Sequence, residues 1–274
     1  MAWCSFPDDV PEEERYVSMF VGYFDDSGTH KGSPVAVVGG FVAHPTQWLG
    51  FNYRWKTVLG KYGVAVHRQS KWSNRAKPFD DPEVWPDERR HAYINELIDV
   101  IVDRDAVTIG AAVPIARLDA QFPDHAKYLS PFRYAAECVF GNAARVMKQL
   151  VPDARIAYVF ESGTQHLGEL QQAFNEYLQN PSLKEEFGLI SFATADKRDL
   201  MQLQAADIMA YEVYKLFEKG EDPGLLNPRH PLKQIGNRLQ HGSWMTPSDD
   251  VIDESGRIVP LANMVKYLEE LGLL

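Results

Sequence analysis

Apolar residues along the chain recur in two periods. Met19 to Phe24 and Val35 to Val42 are short apolar runs, separated by Asp25-Asp26-Ser27-Gly28 and a Gly/Ser/Pro connection. That pattern predicts a strand hairpin. From Gln47 to Tyr62, Trp48, Phe51, Trp55, Val58, Leu59 and Tyr62 return at three- and four-residue spacing, which predicts a helix. Asp87 to Asp103 repeats the period through Tyr93, Ile94, Leu97, Ile98 and Ile101, ahead of a third strand over Ala106 to Val113. Ser130 as N-cap and Pro131 in the first turn open a helix that runs to about Leu150, with Phe132, Ala136, Val139, Ala143, Val146 and Leu150 as its stripe. A fourth strand over Arg155 to Phe160, a helix through Leu170 and Phe174 to Leu178, a fifth strand over Gly188 to Thr194 and a helix from about Asp199 to Phe217 follow.

The order is β-β-β-α-β-α-β-α, with an insertion at about 44–105 between strands two and three. The alternating second half implies parallel strands joined by right-handed crossovers, and so a mixed sheet. Residues 1–220 form this domain. Residues 221–274 are richer in Pro, Gly and Asn, with short helical patterns near Leu232 to Leu239 and Leu261 to Leu271. They read as an appendage packed on the core, and no chemistry is expected there.

Composition narrows the function. The chain has 274 residues, 45% of them hydrophobic and 24% charged, which excludes a disordered or collagen-like protein. Cys4 and Cys138 lack CxxC or metal-ligand spacing, so a reducing cytosol is expected and structural zinc is not. The acidic N-terminus has no leader pattern and no apolar run is long enough to span a bilayer, so the expectation is a cytoplasmic protein without a membrane partner. A net charge of −10 repels polyanions, and any nucleic-acid contact must be local.

The carboxylates carry the chemistry. Phe24-Asp25-Asp26-Ser27-Gly28 and Phe160-Glu161-Ser162-Gly163 each put acid directly after an apolar run and before a turn. If the two strands are parallel neighbours the acids converge at their carboxyl ends, where open α/β sheets bind ligands; otherwise they are solvated turn acids. Asp207 lies on the face of its helix that also carries Leu200, Leu203, Ala210, Tyr211 and Tyr214. A carboxylate there needs a metal, a cation or hydrogen bonds. Glu137, on the helix after Ser130, lies off the main stripe near Arg133, Gly141 and Lys148, and reads either as a ligand or as a surface partner of Arg133. Asp25, Asp26, Glu161 and Asp207 offer the all-oxygen environment that Mg²⁺ or Mn²⁺ prefers. Two such ions roughly 3.5–4 Å apart suit phosphodiester hydrolysis. From Lys61 to Phe79 there are five basic residues and no acid. Arg68, Lys71, Arg75 and Lys77, with Trp72 to stack on a base, form a candidate nucleic-acid contact, against the alternative of a solvated face.

Three segments, Tyr23-Phe24-Asp25-Asp26-Ser27-Gly28, Val38-Gly39-Gly40-Phe41-Val42 and Leu203-Gln204-Ala205-Ala206-Asp207-Ile208, resemble the domain-of-unknown-function 3800 family, grouped with ribonuclease H-like proteins. The likeness spans roughly residues 19 to 218. That family's first motif is Tyr-x-Asp-Glu-Ser-Gly and its late helix carries Gln-x-Ala-Asp; here Asp26 replaces the glutamate and Ala205-Ala206 precede the aspartate. The resemblance implies a five-stranded ribonuclease H-like sheet of order 3-2-1-4-5 flanked by helices, catalytic acids at Asp25, Glu137, Glu161 and Asp207, and a divalent-metal-dependent nuclease acting on RNA or DNA. Val251-Ile252-Asp253-Glu254-Ser255-Gly256 matches the first motif more literally, but no strand, glycine pair and acid-bearing helix follow it, so Asp253 to Gly256 is read as a polar turn.

Two other classes compete. A haloacid-dehalogenase-like phosphatase would place its nucleophile at Asp25 with Thr29 nearby, but position 27 is Ser where that family has its acid-base Asp. A ribonuclease H-like scaffold that binds nucleic acid or a protein partner, in a defence or toxin-like system, would need Asp207 only as a core acid. No P-loop, GxGxxG or HExxH spacing is present, and Ser27 and Ser162 lack a nucleophile-elbow setting.

Overall fold

Alternation along β1 (Met19–Ser27) sorts its side chains onto two faces: Phe20 and Phe24 on one, Val21 and Tyr23 on the other, with Asp25 next in the second series. The structure, a computed structural model, describes residues 19–121, 123, 130–164, 166–219, 227–239, 242–245, 250–252 and 258–260. Within it β1 lies inside a six-stranded sheet of order β5-β4-β1-β2-β3-β6. β2 (Val35–Ala43) pairs antiparallel with β1, and β3 (Val107–Pro114) antiparallel with β2. β4 (Arg155–Glu161) runs parallel to β1, and β5 (Leu189–Ala195) parallel to β4. This is the expected 3-2-1-4-5 mixed sheet. It is extended by β6 (Gly242–Met245), parallel to β3, from a stretch where no strand is expected.

β2 is buried over all nine residues. Its Gly40 lies so close to β1 that an added Cβ would stand 1.9 Å from the Tyr23 carbonyl oxygen, which is why glycine occupies that position.

The Phe20 and Phe24 face packs against α6 (Pro131–Leu150) and α7 (Leu167–Gln179), with α5 (Ile115–Gln121) and α8 (Pro181–Glu186) adding Leu118 and Leu183. The start expected for α6 is found: the Ser130 hydroxyl accepts from the Arg133 N–H at 3.1 Å. α9 (Met201–Phe217) crosses the other face over β1 and β2. The insertion covers α9 in turn, through α1 (Pro45–Trp48), α2 (Phe51–Tyr62), α3 (Gln69–Ser73) and α4 (Asp87–Val102), together with α10 (His230–Arg238). Sandwiched in this way, α9 is buried from Met201 to Tyr214 except at Asp207. A helix apolar on nearly every side is what such a position demands.

The continuous helix expected from Gln47 to Tyr62 is two helices. Leu49 turns extended and ends α1, and Gly50, in a left-handed geometry at φ 74, starts α2. Asp253 to Gly256 and the helical pattern of Leu261 to Leu271 lie outside the described residues, as does Cys4; β7 (Asp250–Ile252) and β8 (Ile258–Pro260) pair with each other. No described helix is long and apolar enough to cross a membrane.

Candidate functional site

Phe24 pairs with Phe160 in the parallel β1–β4 register, so Asp25 and Glu161, one residue further on, share the face that α9 covers. Three acids from β1, β4 and α9 meet there around one residue, Lys197, in the turn between β5 and α9. Its ammonium donates to Asp25 Oδ2 at 2.6 Å and to Asp207 Oδ1 at 3.3 Å. Its backbone N–H donates to Glu161 Oε2 at 2.8 Å. The other Asp207 oxygen accepts from the Gln69 N–H at 2.6 Å, and Asp25 Oδ1 from the Asp26 N–H at 2.9 Å.

Burial governs the electrostatics. It pushes the Asp25 carboxyl well above the ordinary range; Lys197 opposes that, and the Asp207 and Asp26 charges add to it. Burial also raises Glu161, against the pull of Lys197. For Lys197 burial works the other way, but the carboxylates of Asp25, Asp207 and Glu161 outweigh it and hold the ammonium above the usual lysine value. All three directions express one imbalance: the site holds three carboxylates and one ammonium, and gains from any further positive charge.

The remaining expected residues divide. Asp26, on the opposite side of β1, accepts from the Thr29 hydroxyl at 2.6 Å and the Thr164 hydroxyl at 2.5 Å. Glu137 takes the partner that its i,i+4 spacing offers, Arg133 at 2.8 Å. Tyr177, Glu176, Tyr134 and Cys138 also interact with it, and none of these belongs to the Asp25 group. In the basic stretch, Arg68 caps α3 and is exposed, within electrostatic reach of Asp196 at the edge of the site. Lys71 and Lys77 are also exposed. Trp72 does not offer itself to a base: it is 7% exposed, its indole lies 5.1 Å from the Arg90 guanidinium, and Arg90 donates back to its carbonyl. Arg75 is paired with Asp87. Both partners come from α4, which the stretch between Lys61 and Phe79 does not contain.

Behind the carboxylates stands a buried polar network absent from the candidate set. Gln204 Oε1 accepts from the Trp55 indole N–H and from the His67 N–H, both at 2.9 Å, and its amide donates to the Lys197 carbonyl at 2.7 Å. Gln69 accepts from His67 Nε2 at 2.9 Å and donates to Glu212 at 2.6 Å. Glu212 is fully buried and takes Arg229 at 2.8 Å as its cation. Arg229 therefore brings chemistry from beyond residue 220, where none is expected, because a buried glutamate requires a counter-charge. The signal for Lys197 is present in the sequence: Asp196-Lys197-Arg198-Asp199 directly follows a strand, the position already used to select Asp25 and Glu161.

No family model and no curated protein matches the chain. Among solved structures, it is similar to a chain of the PCNA:RNase HII complex from Archaeoglobus fulgidus, with 16% identity over 80% of this chain and 87% of that chain and a TM-score of 0.35. A likeness that slight bears on neither activity nor site.

Proposed function

We propose that the protein is a divalent-metal-dependent nuclease, with Asp25, Glu161 and Asp207 as the residues that hold Mg²⁺ or Mn²⁺ and RNA or DNA as the substrate. The observation behind this reading is the convergence of those three carboxylates on one residue, Asp25 and Asp207 on the Lys197 ammonium and Glu161 on the Lys197 backbone N–H. The donors fit the group: they are all oxygen, as hard cations prefer, and burial leaves them short of positive charge. Among the described residues no three acidic, His or Cys side chains already stand as a ligand set, and the Lys197 ammonium lies between two of them. Bound there, the ions would supply Lewis acidity toward a phosphodiester and a water of lowered pKa. The chain itself orients Asp207 through the Gln69 N–H and Glu161 through the Lys197 N–H, and presents Arg68 and Lys71 on the exposed side of α3 for phosphates. We assign no site role to Glu137 and Trp72, which are engaged elsewhere.

The test is thermal melting with Mn²⁺ beside cleavage of labelled RNA, DNA and hybrid. At about a hundredfold above its Kd, an ion that binds only the folded chain stabilises by about 2.7 kcal/mol, on the order of 5 °C in a protein of this size. Asp207→Asn should abolish both that rise and the cleavage while leaving the metal-free melt folded. No rise with Mn²⁺, or an equal rise in Asp207→Asn, would refute the reading.

A second reading draws on the same lysine. A site that already holds its own ammonium suits a non-catalytic scaffold that binds nucleic acid, and predicts oligonucleotide binding that is indifferent to Mn²⁺.

A further inference from the structure

We propose that Lys197 is the built-in cation of the carboxylate site, lying between Asp25 and Asp207 where a divalent ion would lie and giving way to that ion when it binds. The inference rests on the carboxylates being the metal site, and adds to it a competitor carried by the chain.

The geometry leaves room for one cation. The ammonium stands 2.6 Å from Asp25 Oδ2 and 3.3 Å from Asp207 Oδ1. Mg²⁺ holds its oxygens at roughly 2.0–2.1 Å, so an ion held by both of these carboxylates would compete with Nζ for the gap between them. Two positive charges that close, in a buried setting, repel strongly. The lysine is also mounted for this position. Its backbone is fixed on both sides, the N–H by Glu161 and the carbonyl by Gln204, while its side chain is 7% exposed and hydrogen bonds to the two aspartates. The anchor is rigid and the four-carbon stem turns about its single bonds, so the ammonium can leave without the loop moving. A cation so placed keeps the acids together while the ion is absent and sets a threshold concentration for its entry.

Two measurements test this on the full chain. In the first, Lys197→Met is compared with the wild type by melting across a Mn²⁺ titration. Removing the competitor should lower the Mn²⁺ midpoint about tenfold. In the second, the wild-type protein labelled with ¹³Cε-lysine is titrated with diamagnetic Mg²⁺, and the Lys197 signal, identified by its absence in Lys197→Arg, should shift as the ammonium leaves the aspartates. If Lys197→Met does not fold without metal, the second measurement decides alone.

The outcomes separate the two proposals. A wild-type response to metal with an unchanged midpoint in Lys197→Met and an unmoved Lys197 signal overturns the inference and leaves the nuclease reading standing. A response in Lys197→Met only means that the ammonium holds its place and does not give way, which overturns the inference and the nuclease reading for the native chain together. No response in either protein overturns both.

Discussion

Replacing Gln204 with leucine is expected to cost the fold about 3–5 kcal/mol, even though the two side chains are close in size and the site is already surrounded by apolar residues. Gln204 is fully buried. Its oxygen accepts from the Trp55 indole and the His67 N–H, and its amide donates to the Lys197 carbonyl and to Met201 Sδ. Leucine leaves an indole N–H, a peptide N–H and a carbonyl without partners in a setting that water does not reach. Each buried polar group left unsatisfied costs about 1–3 kcal/mol, and partial relaxation keeps the sum toward the lower end. The first two groups belong to the insertion and the third to the turn that carries Lys197, so the substitution should loosen both from α9 together. Urea denaturation measures it: the midpoint should fall with little change in slope. Gln204→Glu retains the acceptor but not the donor to Lys197, and should lie between the two. A loss below about 1 kcal/mol for Gln204→Leu would mean that the insertion is held to α9 by its apolar contacts alone.

What was legible beforehand depends on how local its cause is. Asp25 and Glu161 were readable because strand period and parallel register, both visible as sequence pattern, place them side by side. Asp207 was readable because its helix is apolar enough to make a carboxylate conspicuous. Gln204 belongs to the same quoted segment, yet its task was invisible, since its partners Trp55 and His67 lie 149 and 137 residues away. The role of Trp72 is hidden for the same reason: within its own basic stretch it reads as a stacking surface, and only the fold brings Arg90 over it. β6 is not legible in the sequence because four residues carry too little alternation to register as a strand. The helix break at Gly50 was missed because a helical period continues in phase across it.

Lowering the pH from about 6.5 to about 4 should remove about 3 kcal/mol of stability through His67 alone. The imidazole is wholly buried, and burial pushes its pKa down from 6.5 to about 4, against the pull of Asp207 and of its bond to Gln69. Its bonds fix the neutral tautomer. Nε2–H donates to the Gln69 oxygen at 2.9 Å, and Nδ1 accepts from the Tyr93 hydroxyl at 3.0 Å. A base whose folded pKa lies below its unfolded value is protonated first in the unfolded chain, so acid favours unfolding. The stability this group contributes is whole above about pH 6.5 and is lost progressively as the pH falls to about 4. Asp25, whose pKa is raised, acts in the opposite sense over the acid range, so the informative quantity is the difference between the wild type and His67→Gln. Glutamine cannot be protonated but keeps a donor for Gln69. Denaturation free energies measured every half unit of pH should show the two proteins converging by about 3 kcal/mol on acidification, with the wild type losing the more. Parallel profiles would show that His67 takes up its proton as readily in the folded chain as in the unfolded one, and would overturn the assignment of a buried, neutral imidazole held by Tyr93 and Gln69.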